Sequence, residues 1–110
     1  MIFPKPGPRQ DRDWRAVERG WKQRIYELDH GHCRGCCGRY QLTAHHIHYR
    51  SQGGGYTDGN GILLCVKCHA RVHMAGGREF MIQTLGKWRE SADWRWGEAY
   101  DKLLKRRKER

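Results

Sequence analysis

Apolar residues recur at helical intervals early in the chain. Trp14, Val17, Trp21, Ile25 and Leu28 stand three or four apart, which predicts an amphipathic helix from Asp13 to about Asp29. Asp13 is a suitable N-cap, because its carboxylate can accept a first-turn N–H. Gly31 is placed to end the helix or the turn after it. Trp14 and Trp21 both fall in the stripe expected to be buried. Ahead of Asp13, residues 1–12 are Pro-rich and polar and read as a flexible basic arm. Cys33 to Gly38 reads as a tight knuckle, and Tyr40 to Ile47 as a short β-prone stretch. Ser51 to Gly61 is dominated by Gly, Asp and Asn, so it reads as a loop longer than a plain turn needs. Ile62-Leu63-Leu64 is an apolar run leading into Cys65. Helices are predicted from Val66 to Met74, stopping at Gly76-Gly77, and from Phe80 to Lys87, with Phe80, Met81 or Ile82, and Leu85 as the apolar side. From about Ser91, Trp94, Trp96, Tyr100, Leu103 and Leu104 precede a basic tail, Lys105 to Arg110. Trp94 and Trp96 are two apart and would not share a helix face, so one is expected on the core and the other in solvent or against a base.

Composition narrows what such a chain can do. With 110 residues one domain is expected. The apolar fraction is 37% and glycine numbers 14, so the core should be small. A metal staple would then matter, since structural zinc supplies ~10–16 kcal/mol of apparent folding free energy. The formal charge of +10 and the pI near 9.8 call for an anionic partner, either nucleic acid or an acidic membrane surface. Aromatic residues interleaved with Arg and Lys favour nucleic acid. No segment approaches the ~20 apolar residues of a membrane span, and Met1 to Pro8 lacks the apolar core of a secretory signal. A reducing cytoplasm is therefore expected, where paired cysteines hold metal more often than they form disulfides.

The cysteines follow that expectation. Cys33/Cys36 and Cys65/Cys68 are two Cys-x-x-Cys pairs, the makings of one tetrahedral, structural Zn2+ site. Cys37, the fifth, breaks both spacings and is read as a bystander. The gap between the pairs exceeds the roughly 15–20 residues of a simple ribbon, and it contains His45, His46 and Asn60. The plainer alternative is a zinc ribbon with a decorated loop. Cys65-Val-Lys-Cys68-His69 also fits a haem-attachment pattern, but that needs export and leaves Cys33 and Cys36 unexplained.

His69 and His73 are four apart, so on a helix they share a face, as two imidazoles on one metal would. Strand alternation puts His46 and His48 on one side and His45 on the other. The residues alone do not decide which of these three is base, ligand or bystander.

Taken together, Ala44-His45-His46-Ile47, then Asn60-Gly-Ile-Leu-Leu-Cys65-Val-Lys-Cys68-His69-Ala-Arg-Val-His73, resembles the HNH (ββα-metal) nuclease family, and the paired cysteines its zinc-stapled branch. The likeness covers about Asp29 to His73. It implies an α+β fold with a ββα-metal core at about 29–75; length and pattern put that core in one domain, 13–110, with a helical basic extension at about 78–110. It implies His45, His69 and His73 as ligands of a catalytic divalent metal, His46 as the general base, and Asn60 as the residue that orients it. Family members often carry Asp where His45 stands. A nitrogen-rich set suits Zn, Ni, Co or Mn better than Mg.

Among the basic residues, Arg50, Lys67 and Arg71 flank this constellation, and Lys105, Arg106 and Arg107 lie in a tail with six basic residues between Lys102 and Arg110. All six named residues are expected to contact DNA phosphates. The reading that follows is a metal-dependent DNA endonuclease, nicking or cutting both strands. Resemblance to small stand-alone phage and bacterial members implies the cytoplasm of a bacterium or infected cell, and a link to terminase and genome packaging. The rival is a non-catalytic zinc-ribbon nucleic-acid-binding module, and action on RNA is compatible with the same residues. Oligomeric state is not written in the sequence.

Overall fold

The computed structural model describes residues 8–49 and 55–108, with side chains over 14–49 and 55–107. In chain order it has helix α1 (Pro8–Leu28), strands β1 (Leu42–His46) and β2 (Gly61–Cys65), and helices α2 (Val66–Val72), α3 (Gly77–Gly86) and α4 (Gly97–Lys108). A single 3-10 turn, Asp58–Asn60, leads into β2. The architecture is α+β as expected: a small β1–β2–α2 core flanked by α1, α3 and α4.

Helix α1 starts at Pro8 rather than Asp13. A proline in the first turn has no needed N–H to lose, and its fixed φ is already helical. At 21 residues the helix is about 31 Å long, whereas the five residues of β1 span about 17 Å. The N-terminal half therefore overhangs the sheet. Trp21 and Ile25 are buried, but Trp14 and Val17 stay 37% and 49% exposed, so Trp14 leaves the core assigned to it by periodicity. The helix ends in a Schellman-type turn, with Gly31 N–H on the Tyr26 carbonyl at 3.0 Å and His30 N–H on that of Glu27 at 3.1 Å. His30 takes the left-handed position, with φ 56°, and Gly31 follows at 68°.

The two strands pair antiparallel, His46 opposite Gly61 and Leu42 opposite Cys65. Alternation along them builds two apolar layers. Trp21 and Ile25 pack with Leu63 on one side. Ile62 and Leu64 join Met81, Ile82, Leu85, Trp96 and Leu103 on the other. Helices thus cover both faces, which is why all of Gly-Ile-Leu-Leu-Cys in β2 is buried and reads as a continuous apolar run. Gly61 is where α1 comes closest: a Cβ there would lie 2.5 Å from Ile25 Cδ1 and 2.6 Å from the Trp21 ring.

The glycine pair after α2 does more than stop a helix. Gly76 adopts φ 83° as the N-cap of α3, and a Cβ on Gly77 would meet the Val72 carbonyl at 1.8 Å. The corner is therefore tight enough for α3 to start at Gly77, three residues before Phe80. Met81, Ile82 and Leu85 are buried. The segment before Gly97 is not helical, which lets Trp96 turn into the core, fully buried, and donate its indole N–H to the Gly61 carbonyl at 2.7 Å. Trp94 is half-buried, edge-on to Trp96 and Tyr100 at 5.8 Å each. The basic tail continues α4 through Lys108. Among the described residues no helix is long and apolar enough to cross a membrane.

Candidate active site and cysteine cluster

The knuckle at Cys33 is closed by its own backbone. Cys33 N–H donates to the Gly38 carbonyl and Cys37 N–H to the Cys33 carbonyl, each at 2.8 Å. Gly35 N–H donates to Cys33 Sγ at 3.3 Å. The second knuckle joins the end of β2 to the start of α2, and together they bring Cys33, Cys36, Cys65 and Cys68 within 4.8 Å of one another. Cys36 and Cys65 Sγ are 3.6 Å apart, close to the ~3.8 Å between thiolates on a tetrahedral zinc with ~2.3 Å bonds. The Cys68 N–H helps bring the Cys65 thiol down to about 7, while burial pushes Cys68 up. Such a set suits a divalent cation that takes all four as thiolates. Cys37 is exposed and outside the cluster.

His45, His69 and His73 form the second cluster, with one ring nitrogen from each within 4.8 Å of the others. β1 supplies His45, buried on the side of the sheet that faces α2. α2 supplies His69, and His73 caps its last turn. The Nε2 atoms of His69 and His73 are 3.1 Å apart, near the ~3.3 Å that two ~2.0–2.1 Å zinc–nitrogen bonds impose. Burial, reinforced by His69, His73 and His46, lowers His45 to about 3. Burial and His73 also lower His69. These imidazoles are therefore kept neutral, with a lone pair for a cation. Tyr49, not singled out in the sequence, has its hydroxyl 3.3 Å from His73 Nδ1. With Nε2 turned to His69, that hydroxyl is placed to accept the Nδ1–H of a ligating His73 and so fix its tautomer.

His46 lies on the opposite side of the strand. Its ring stacks on Trp21, centroids 4.2 Å apart at 14°, and meets Tyr56 edge-on at 5.0 Å. Trp21 is itself fixed by its N–H on the Thr57 carbonyl at 2.8 Å. Asn60 is buried, but its amide is committed to the loop backbone. Nδ2 donates to the carbonyls of His48 and Gly55, at 2.9 and 3.0 Å, and Oδ1 accepts His48 N–H at 2.8 Å. Asn60 thus shapes the segment beside His46, while the Trp21 and Tyr56 rings lie against the imidazole. β1 ends at His46, so alternation does not extend to His48. His48 is buried with Nε2 donating to the Ala99 carbonyl at 3.0 Å.

The frame behind the site is polar, and no local pattern in the sequence marks it. Asp29, at the end of α1, is fully buried. Its carboxylate accepts Arg34 Nε and Arg95 Nη1, both at 2.8 Å, and the Leu63 N–H of β2 at 2.8 Å. Arg95 also reaches the carbonyls of Asp58 and Gly61, and Arg34 pairs with Asp93 and lies over the Trp88 ring. One carboxylate therefore ties α1, the first knuckle, β2 and the segment before α4 together.

Of the six basic residues expected at DNA, the five described lie on α2 and α4. On α2, Lys67 and Arg71 are each two residues from His69, so they point roughly 200° away from it. Arg71 lies over the Phe80 ring at 4.1 Å. Lys105 is exposed, Arg106 half-buried, and Arg107 pairs with Glu79 at 3.1 Å. Arg50 lies outside the described residues.

Residues 23–74 match the family of HNH endonucleases. No curated protein matches the chain. The family match and the two ligand clusters support a DNA-binding, metal-dependent nuclease in general terms. With a ββα core and a cysteine cluster of the zinc-stapled kind, residues 23–74 carry the features of the HNH endonuclease family that they match.

Proposed function

We propose that the protein is an HNH endonuclease that hydrolyses DNA phosphodiester bonds with one catalytic divalent metal. The observation that carries this is the convergence of His45, His69 and His73 at the β1–α2 junction, with His46 next in the strand. His45, His69 and His73 would hold the metal, which supplies Lewis-acid stabilisation of the phosphate charge. Three nitrogen ligands leave room for substrate, as a catalytic site needs. Zn, Ni, Co and Mn suit this set better than Mg. His46 is the general base. Its Nε2 is closed off from solvent, so Nδ1 is the atom that takes the proton from the attacking water. Trp21 and Tyr56 hold the ring, and Asn60 holds the backbone that follows it at His48. Cys33, Cys36, Cys65 and Cys68 bind a structural zinc and do no chemistry. In the cell the enzyme would act in the cytoplasm of a bacterium or phage-infected host, beside terminase during genome packaging.

Relaxation of supercoiled plasmid with Mg, Mn, Co, Ni and Zn tests this reading. Wild type should cut with at least one ion. His46→Ala should keep fold, metal content and DNA affinity while cutting falls by on the order of 10²–10⁴. His69→Ala and His73→Ala should lose cutting together with second-metal affinity. Absence of cutting with every ion would leave a nucleic-acid-binding module instead.

A further inference from the structure

We propose that the seam between α3 and α4 contains a phosphate subsite for the nucleic-acid strand, built by Arg78 and Arg106 beside His45. A cavity of about 140 Å3 opens there, with His45, Tyr49, Arg78 and Arg106 on its polar side and Met81 and Leu103 among its apolar walls. That is several times the ~30 Å3 share of a liquid water, enough for a phosphate group. Its lining includes two arginines and no Asp or Glu. Glu79, the acid next to Arg78, is already paired with Arg107. Arg78 Nη1 donates to the Arg106 carbonyl at 3.4 Å, so the first turn of α3 is tied to the last turns of α4, and both arginines line the same cavity. Planar guanidinium forks match phosphate oxygens with two parallel hydrogen bonds, which a lysine cannot do.

Position sets this pair apart from Lys67 and Arg71. Lys67 and Arg71 face away from His69, and Arg71 is engaged with Phe80. The Arg78–Arg106 cavity is lined by His45 itself. A strand carries a phosphate at every nucleotide, so one engaged at the histidine cluster brings a neighbour to this seam. The identity of that strand as substrate rests on the nuclease reading above; the anion-binding geometry does not.

Binding of a fluorescein-labelled DNA duplex across a salt series, without added second metal, tests the subsite separately from cutting. Each phosphate contact contributes about 0.9 to the slope of log K against log salt, so Arg78→Ala with Arg106→Ala should lower it by about 1.8. Lys67→Ala with Arg71→Ala should lower it less. Arg78→Glu, on an exposed side chain, should weaken binding more than Arg78→Ala and carries the test if the Arg106 variant misfolds. A slope unaltered in the Arg78/Arg106 pair, or lowered no more than in the Lys67/Arg71 pair, would overturn the proposal. A lowered slope in a protein that never cuts plasmid would sink the nuclease reading and leave the subsite standing.

Discussion

Trp21 lies flat against His46, ring centroids 4.2 Å apart and planes within 14°, so a residue of α1 sets the attitude of an imidazole at the end of β1. The indole is in turn fixed by the Thr57 carbonyl at 2.8 Å and the flank by Tyr56. Small misplacement of a catalytic group costs up to about 10²-fold in rate. Trp21→Leu should therefore reduce plasmid cutting by about 10–100-fold while second-metal affinity, read by calorimetry, stays put. Trp21→Phe keeps a flat ring under His46 and should recover most of the loss. A folded Trp21→Leu protein that cuts at the wild-type rate would show that the stack is packing alone.

Asp29 is the most demanding single residue in the frame. Its buried carboxylate satisfies two guanidinium groups and one backbone N–H. Removing one partner of a buried ion pair leaves an uncompensated charge and costs about 3–5 kcal/mol. Asp29→Leu should lower stability by about that much in urea titrations, with Asp29→Asn less damaging because it still accepts hydrogen bonds. A loss under about 1 kcal/mol for Asp29→Leu would mean that water substitutes for the carboxylate.

The ββα core came from the resemblance, while periodicity and spacing marked several of its pieces because both are local. The stripe through Trp21 and Ile25, the run Ile62-Leu63-Leu64 and the i, i+4 pair His69/His73 can each be read within a few turns of chain. What escaped depends on distant partners. Nothing near Asp29 announces Arg95, 66 residues away, and Trp14 looks like core until the helix outruns a five-residue strand. His45, His46 and His48 could not be sorted by alternation because the strand stops at His46, after which Asn60 holds the backbone of His48. The side of α2 that carries Lys67 and Arg71 follows from the same 3.6-residue period that pairs His69 with His73.

The cysteine cluster makes a claim about metal content. Purified protein should retain about one zinc by atomic emission, held by four thiolates. Cys36→Ser should lose it and unfold or aggregate, since the site's ~10–16 kcal/mol is folding free energy. Cys37→Ser should keep both zinc and fold, because that thiol is exposed and outside the cluster. A folded, zinc-free Cys36→Ser protein would remove the structural role.

His48 makes stability depend on pH in a direction the structure sets. Burial first, then the charges of Lys102 and Arg106, lower it, against an opposing hydrogen bond to the Ala99 carbonyl. Unfolded, the same imidazole titrates near its ordinary ~6.5. Between the lowered folded value and ~6.5 the unfolded chain binds a proton that the folded one does not, so stability falls as pH drops through that window. Above ~6.5 the contribution is complete. His48→Gln keeps a donor for the Ala99 carbonyl but cannot titrate. Its Tm should therefore drop less than that of wild type between about pH 7.5 and about pH 5. His48→Ala leaves that carbonyl without its donor and should cost about 1–3 kcal/mol at neutral pH. The comparison cancels acid loss of zinc, which both proteins share, so parallel Tm curves for wild type and His48→Gln would show that His48 is not held neutral against α4.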